Sequence, residues 1–259
     1  MINSLWIAKS GMSAQQTQLD VVSHNLANVS TTGYKRASAV FQDLIYQNQR
    51  QVGASTSEQS QLPTGLHLGL GVNVVSTSRD FRQGTPQASG KDFDMAINGA
   101  GFFQIDMPDG TIAYTRDGTF NPDSTGQLVN AGGYPLSGGI TVPPDTAKMS
   151  ISKQGLVEFF DKSGGKIGGA NITLATFINP GGLEPIGQNL FRESVASGNP
   201  QTGAPDSNGM GQVMQCYLES SNVNVVEELV TMIQTQRAYE MNSKAISTSD
   251  QMLAKLNQI

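Results

Sequence analysis

The sequence predicts an α+β chain in which long N- and C-terminal helices form a coiled-coil layer and bracket a central all-β domain. Two patterns predict it: apolar heptads at both ends, and short apolar runs between turn residues in the middle. Composition agrees with a turn-rich centre. Charged residues make up 14% of the 259, against roughly 25% in ordinary soluble domains, and the 29 glycines exceed the usual share of about 7%.

At the N-terminal end Leu5, Met12, Leu19 and Leu26 recur every seven residues, and Ala8, Gln15, Val22 and Val29 follow each by three. This a/d seam predicts a helix of about 26 residues and roughly 39 Å. Asn3 or Ser4 can cap its start, and Val29-Ser30-Thr31-Thr32-Gly33 ends it with β-branched residues before a glycine able to take positive φ. At the other end Val225, Met232, Tyr239, Ile246 and Leu253 repeat the spacing, with Val226 and Ile233 beside them and Leu229 one turn on. Asn224 with Glu227 has the form of a capping box, and Glu227 and Glu228 suit the positive end of a helix dipole.

Between the helices Phe102-Phe103-Gln104-Ile105-Asp106-Met107, Pro108-Asp109-Gly110 and Thr111-Ile112-Ala113-Tyr114 read as strand, tight turn, strand. Similar punctuation at Asp117-Gly118, Gly132-Gly133 and Ser163-Gly164-Gly165 suggests a compact sandwich or barrel-like sheet. The expected division is residues 1–33 and 222–259 as helical assembly domain, 34–71 and 197–221 as extended connecting segments, and 72–196 as β domain. Within the connectors, 47–71 and 197–212 are too polar and Gly-rich to offset their ordering entropy alone.

A heptad seam needs cover. Leu5, Met12, Leu19 and Leu26 could face Val225, Met232, Tyr239 and Ile246 within one chain, but Trp6, Ile7, Val21, Val226, Ile233 and Met252 would then stay in water. Each large apolar side chain buried contributes roughly 1.5–3 kcal/mol, which favours further helices from neighbouring copies. Identical copies in a head-to-tail contact that does not close give a helical filament. The internal pair and the filament both remain open at this point.

Asn25-Leu26-Ala27-Asn28-Val29-Ser30-Thr31-Thr32-Gly33-Tyr34-Lys35 closely resembles the N-terminal motif of the flagellar rod and hook protein family. Ser221-Asn222-Val223-Asn224-Val225-Val226-Glu227-Glu228-Leu229-Val230, then Gln236-Arg237-Ala238-Tyr239-Glu240, resembles the family's C-terminal motif. The resemblance spans essentially the whole chain. Glu58-Gln59-Ser60-Gln61-Leu62-Pro63-Thr64-Gly65-Leu66 through Val72 resembles the extension found in distal rod members, with proximal rod members as the alternative. Such membership implies a helical homopolymer of the chain itself, with proximal rod proteins, hook protein, the bushing rings of peptidoglycan and outer membrane, and the flagellar type III export apparatus as partners. It also implies terminal helices around a channel, with Leu5, Met12, Leu19, Val22, Leu26, Val29, Val225, Leu229, Met232, Ile233, Tyr239, Ile246 and Leu253 in the self-assembly interface. Export without a cleaved signal places the chain in the basal body. Met1 to Ile7 accordingly lacks the charge and apolar length of a secretory signal.

Other classes find little support. A net charge of −5 without a Lys/Arg run gives no footprint for nucleic acid, and no apolar run is long enough for membrane insertion. Only His24 and His67 are available as histidines, and no GxSxG, HExxH, P-loop or GxGxxG motif is present, so no catalytic, metal or cofactor residue is expected. Asn121-Pro122-Asp123-Ser124-Thr125-Gly126 has Gly132 where a calcium loop needs its bidentate Glu, and reads as a turn. Asp92, Asp94, Asp106 and Asp109 read as solvated turn positions, and Cys216 as packed. A secreted β-domain binding protein would leave the paired heptads unexplained.

Overall fold

The computed structural model describes residues 2–52, 55–57, 60–61 and 64–256. It is α+β with a β-rich centre, and the chain divides into two compact units.

The first unit comprises the described parts of 1–26, 37–78 and 224–259. It holds two long helices, α1 (Ile2–Ala27) and α2 (Val225–Leu256). Asn224 caps α2: its Oδ1 accepts from the Val226 amide at 3.1 Å and its carbonyl from the Glu228 amide at 3.0 Å. The segment from 37 onward forms an antiparallel two-stranded ribbon in which Ala37–Asp43 pairs Val72–Arg79, Tyr46–Arg50 pairs Leu66–Gly69, and Ser55–Ser57 pairs Ser60–Gln61. The stretch expected as an extended connector is therefore extended but paired. Six residues of the 58–72 motif and its approach (53, 54, 58, 59, 62 and 63) lie outside the described residues.

The second unit comprises residues 27–36 and 79–223. Its six-stranded antiparallel sheet runs Glu184–Gly187, Leu190–Arg192, Ile112–Thr115, Phe102–Asp106, Leu174–Thr176, Gln201–Gly203. The hairpin read from the sequence is its centre, with Tyr114 opposite Gln104. Gly110 takes φ +81° in the turn, and Asp109 accepts from both the amide and the hydroxyl of Thr111. Those bonds, the hydroxyl's first, hold the Asp109 carboxyl below the usual range. A three-stranded sheet (Lys148–Ile151, Leu156–Phe160, Lys166–Asn171) packs beside it through the core.

Residues 197–221 differ from the expected connector. Gln201–Gly203 closes the large sheet, Gln212–Gln215 pairs Met95–Asn98, and Tyr217–Glu219 pairs Pro86–Ala88. The short strands gain what their own side chains lack by pairing, the last two with partners over 100 residues away in sequence. Gly211 makes one pairing possible, since a Cβ there would lie 2.5 Å from the Asn98 carbonyl oxygen.

Strand alternation divides the core between two faces. Phe103, Ile105, Ala113 and Leu174 enter a large cluster with Phe120, Leu128, Met149, Val157 and Phe159. Their neighbours Phe102, Tyr114 and Ala175 enter a smaller one with Phe177, Leu183 and Phe191. Tyr114 meets Phe177 edge-on at 4.8 Å and donates its hydroxyl to Glu193 at 3.4 Å.

A buried charge cluster closes the unit. Lys35, with 0% side-chain exposure, donates Nζ to Glu219 Oε1 at 2.6 Å and to the Arg82 carbonyl at 2.8 Å. Arg116 Nη1 reaches Glu219 Oε2 at 3.3 Å, Nη2 reaches the Gly99 carbonyl at 2.7 Å, and the Gly84 amide donates to Glu219 Oε1 at 2.8 Å. Burial pulls both Lys35 and Arg116 below their ordinary ranges, opposed by the Glu219 carboxylate.

Two outcomes test this account. Glu219→Gln keeps the shape but leaves two buried cations uncompensated, and should destabilise by about 3–5 kcal/mol. At roughly 2–4 °C per kcal/mol for a unit of this size, the melting temperature should fall on the order of 10 °C; a change within about 1 °C by calorimetry would refute the role given to Glu219. Burial, then the Glu193 charge, pushes the Tyr114 phenol up to about 12 from 10.0. The folded state therefore holds a proton that the unfolded chain has lost, so stability present below pH 10 should decline as pH rises towards 12. Urea midpoints across that window should fall less in Tyr114→Phe than in the parent chain.

Candidate assembly interface

Within the first unit α1 buries the seam read from its sequence. Ala8, Ala14 and Val22 are buried, and Leu5, Met12, Gln15, Leu19 and Leu26 are half-buried, with Val29 half-buried in the turn beyond. Trp6 and Ile7 remain outside, at 60% and 42% exposure. Val72 lies against α1 and donates its amide to the Ser10 hydroxyl, and a groove of about 450 Å³ opens between Trp6, Lys9, Ser13, Leu44 and Val74.

α2 behaves otherwise. Of its apolar heptad, Met232 and Ile246 are half-buried, Val225 and Tyr239 are exposed, and the Leu253 side chain lies outside the described residues. Leu229 and Ile233 are exposed as well, the latter at 50%, and Val226 at 69%. Glu228 and Thr235 are buried, and Asn242 and Ser249 continue this polar repeat of seven at half-burial, sharing the inner side of α2 with the half-buried Met232, Ala238 and Ile246. Glu228 accepts from Asn25 Nδ2 at 3.2 Å, and Asn242 donates to Gln15 Oε1 at 3.0 Å. Ascending positions on α1 meet descending ones on α2, so the pair is antiparallel. The apolar repeat was readable; the polar one was missed because a search for seams counts apolar residues.

The motif residues hold chain crossings. Asn25 is buried and clamps Ala37 twice, donating to its carbonyl at 2.8 Å and accepting from its amide at 2.9 Å. In the second unit Asn222 does the equivalent, accepting from the Arg36 amide at 2.7 Å and donating to the carbonyls of Asp80 and Arg82. Gly33 sits at φ +68° with its amide on the Glu219 carbonyl, and a Cβ there would lie 2.6 Å from the Asp117 amide nitrogen. Thr31 donates its hydroxyl to Asn28 Oδ1, and Thr32 donates to Asp117. Tyr34, Lys35 and Val223 are buried, and Ser221 accepts from the Val223 amide. Ala27, Glu227, Gln236 and Arg237 face outward, with Ala238 half-buried. Glu219, the partner of both Lys35 and Arg116, carried no local signal of that role.

Cys216 is half-buried at φ +63°, and burial, then the Asp92 carboxylate, pushes its thiol up, which disfavours the nucleophilic thiolate. Among the described residues no group of three or more His, Cys, Asp or Glu could hold a metal ion, and no helix is long and apolar enough to cross a membrane.

Three family profiles match in succession: flagella basal body rod protein over residues 5–35, the flagellar hook protein FlgE/F/G D1 domain over 96–159, and the flagellar basal body rod FlgEFG protein C-terminal region over 214–259. The flagellar basal-body rod protein FlgG of Buchnera aphidicola subsp. Schizaphis graminum is 52% identical over 260 residues, covering all of both chains. That of Borreliella burgdorferi is 46% identical over 262 residues, covering all of this chain and 99% of its own. The flagellar hook-basal body complex protein FlhP of Bacillus subtilis is 32% identical over the full length of both. With terminal motifs, central domain and full-length relatives in agreement, the chain belongs to the flagellar basal-body rod protein family.

Proposed function

We propose that the chain is a structural subunit of the flagellar rod, in its distal part, which polymerises into a hollow helical shaft carrying torque from motor to hook. The observation that carries this reading is the outward apolar surface of α2. Val225, Val226, Leu229, Val230 and Ile233 are all exposed on a helix whose inner face is already occupied. Together they amount to several kcal/mol of unclaimed burial at roughly 1.5–3 kcal/mol for each large side chain. A neighbouring copy supplies the missing cover.

In this reading residues 1–33 and 222–259 form the coiled-coil layer of the shaft. The ribbon adds a second contact, since Ile45 is 83% exposed and Val40, Phe41, Tyr46, Leu66 and Leu68 are exposed around it. A two-stranded ribbon is marginal alone in water, so ordering between subunits would offset its entropy and stiffen the shaft. Placement in the distal rod rests on the 58–72 motif and on full-length similarity to proteins named FlgG. The implied neighbours are proximal rod proteins, hook protein and the bushing rings, reached across the periplasm after type III export.

Leu229→Asp with Ile233→Asp, introduced into the native gene, tests the reading. The variant should still appear in the culture supernatant, with the β unit's melting temperature unchanged. Negative-stain images of purified basal bodies should show rods that stop short, with swimming reduced more than tenfold. Rods of normal length would overturn the proposal.

A further inference from the structure

The α1–α2 pair is built in an unusual way: on its inner side α2 carries a polar residue at each of four consecutive heptad positions, beside the half-buried Met232 and Ile246, while Val226, Leu229, Val230 and Ile233 lie outside. A polar residue inside a helix seam lowers stability but specifies register, because only one alignment gives it a partner. Asn242 has such a partner. Its amide donates to Gln15 Oε1 at 3.0 Å, and the same nitrogen would lie 3.0 Å from a Cβ at Gly11. Gly11 otherwise has no place in the middle of a 26-residue helix, where glycine costs about 1 kcal/mol relative to alanine. The missing side chain leaves room for the Asn242 amide, and Gln15, one turn on, receives it.

We propose that Asn242, seated over Gly11 and bonded to Gln15, is a register-specifying residue: it fixes one antiparallel alignment of α2 on α1 within each chain. That alignment in turn fixes where the outward apolar residues of α2 stand along the pair. A slip of one helical turn would bring Ile246 over Gly11 in place of Asn242 and shift the outer surface by about 5 Å along the helix axis. The inner stripe acts by excluding that alternative, since the slipped alignment would leave Gln15 without its amide partner. This inference rests on the rod-subunit reading for its consequence, but the alignment itself can be measured independently.

Spin labels decide it. The full chain carrying Cys216→Ala and nitroxide labels at Asp20→Cys and Lys244→Cys, exposed positions on α1 and α2 that leave Gly11, Gln15 and Asn242 in place, reports the alignment as an interlabel distance by pulsed electron resonance. The expected parent result is one narrow distance population, and Gln15→Leu or Asn242→Leu should add a second, displaced by about 5 Å, one helical turn. A broad distribution in the parent chain, or a single unchanged distance in both variants, overturns the proposal while leaving rod assembly untouched. Failure of the Leu229→Asp, Ile233→Asp experiment would instead remove the assembly reading and leave the alignment standing.

Discussion

Everything in the β unit converges on one carboxylate. Glu219 receives Lys35 from the turn that follows α1 in sequence, Arg116 from the central sheet, and the Gly84 amide from the strand approach, while its carbonyl takes the Gly33 amide. Three stretches of chain, up to 184 positions from Glu219, are thereby fixed around a single residue. A buried triad of this kind adds little net stability compared with an apolar replacement, because desolvation offsets most of the attraction. Its consequence is specificity. Lys35 and Arg116 can be buried together only where Glu219 stands between them, so alternative packings of residues 27–36 would leave a cation without its partner.

The asparagines of the two motifs follow the same logic at lower charge. Asn25 and Asn222 each offer one donor and one acceptor to a passing backbone, and both side chains use both functions. Glutamine could not hold the same geometry without an extra rotatable bond, and aspartate would lack the donor. The motifs thus hold chain crossings through Asn25, Gly33, Lys35 and Asn222, while Val226, Leu229 and Val230 of the C-terminal motif stay exposed.

Much of this architecture was legible because it is local. Repeats of seven gave both helices, Asn224 gave the start of α2, and Pro108-Asp109-Gly110 gave the central hairpin. The ribbon was not legible, since Tyr46-Gln47-Asn48-Gln49-Arg50 lacks the alternation of a half-buried strand, and all five residues are exposed. The strands after residue 197 were hidden for another reason: each is three or four residues long and is defined by a partner remote in sequence. Arg116 and Glu219 looked like ordinary charges because burial cannot be read from either one alone. Only the family resemblance linked Asn25, Lys35 and Asn222 before their contacts were known.

The distribution of polarity on α2 carries the remaining argument. Hydrogen bonds between neutral side chains contribute about 0.5–1.5 kcal/mol each, because water competes for the same groups. Thr235, Asn242 and Ser249 therefore add alignment more than strength to an inner side they share with Met232 and Ile246, while Val226, Leu229, Val230 and Ile233 remain exposed. Val226, Leu229, Val230 and Ile233 stay in water in the single chain, so whatever covers them adds burial worth roughly 1.5–3 kcal/mol for each large side chain, more than any one of the polar contacts on the inner side contributes.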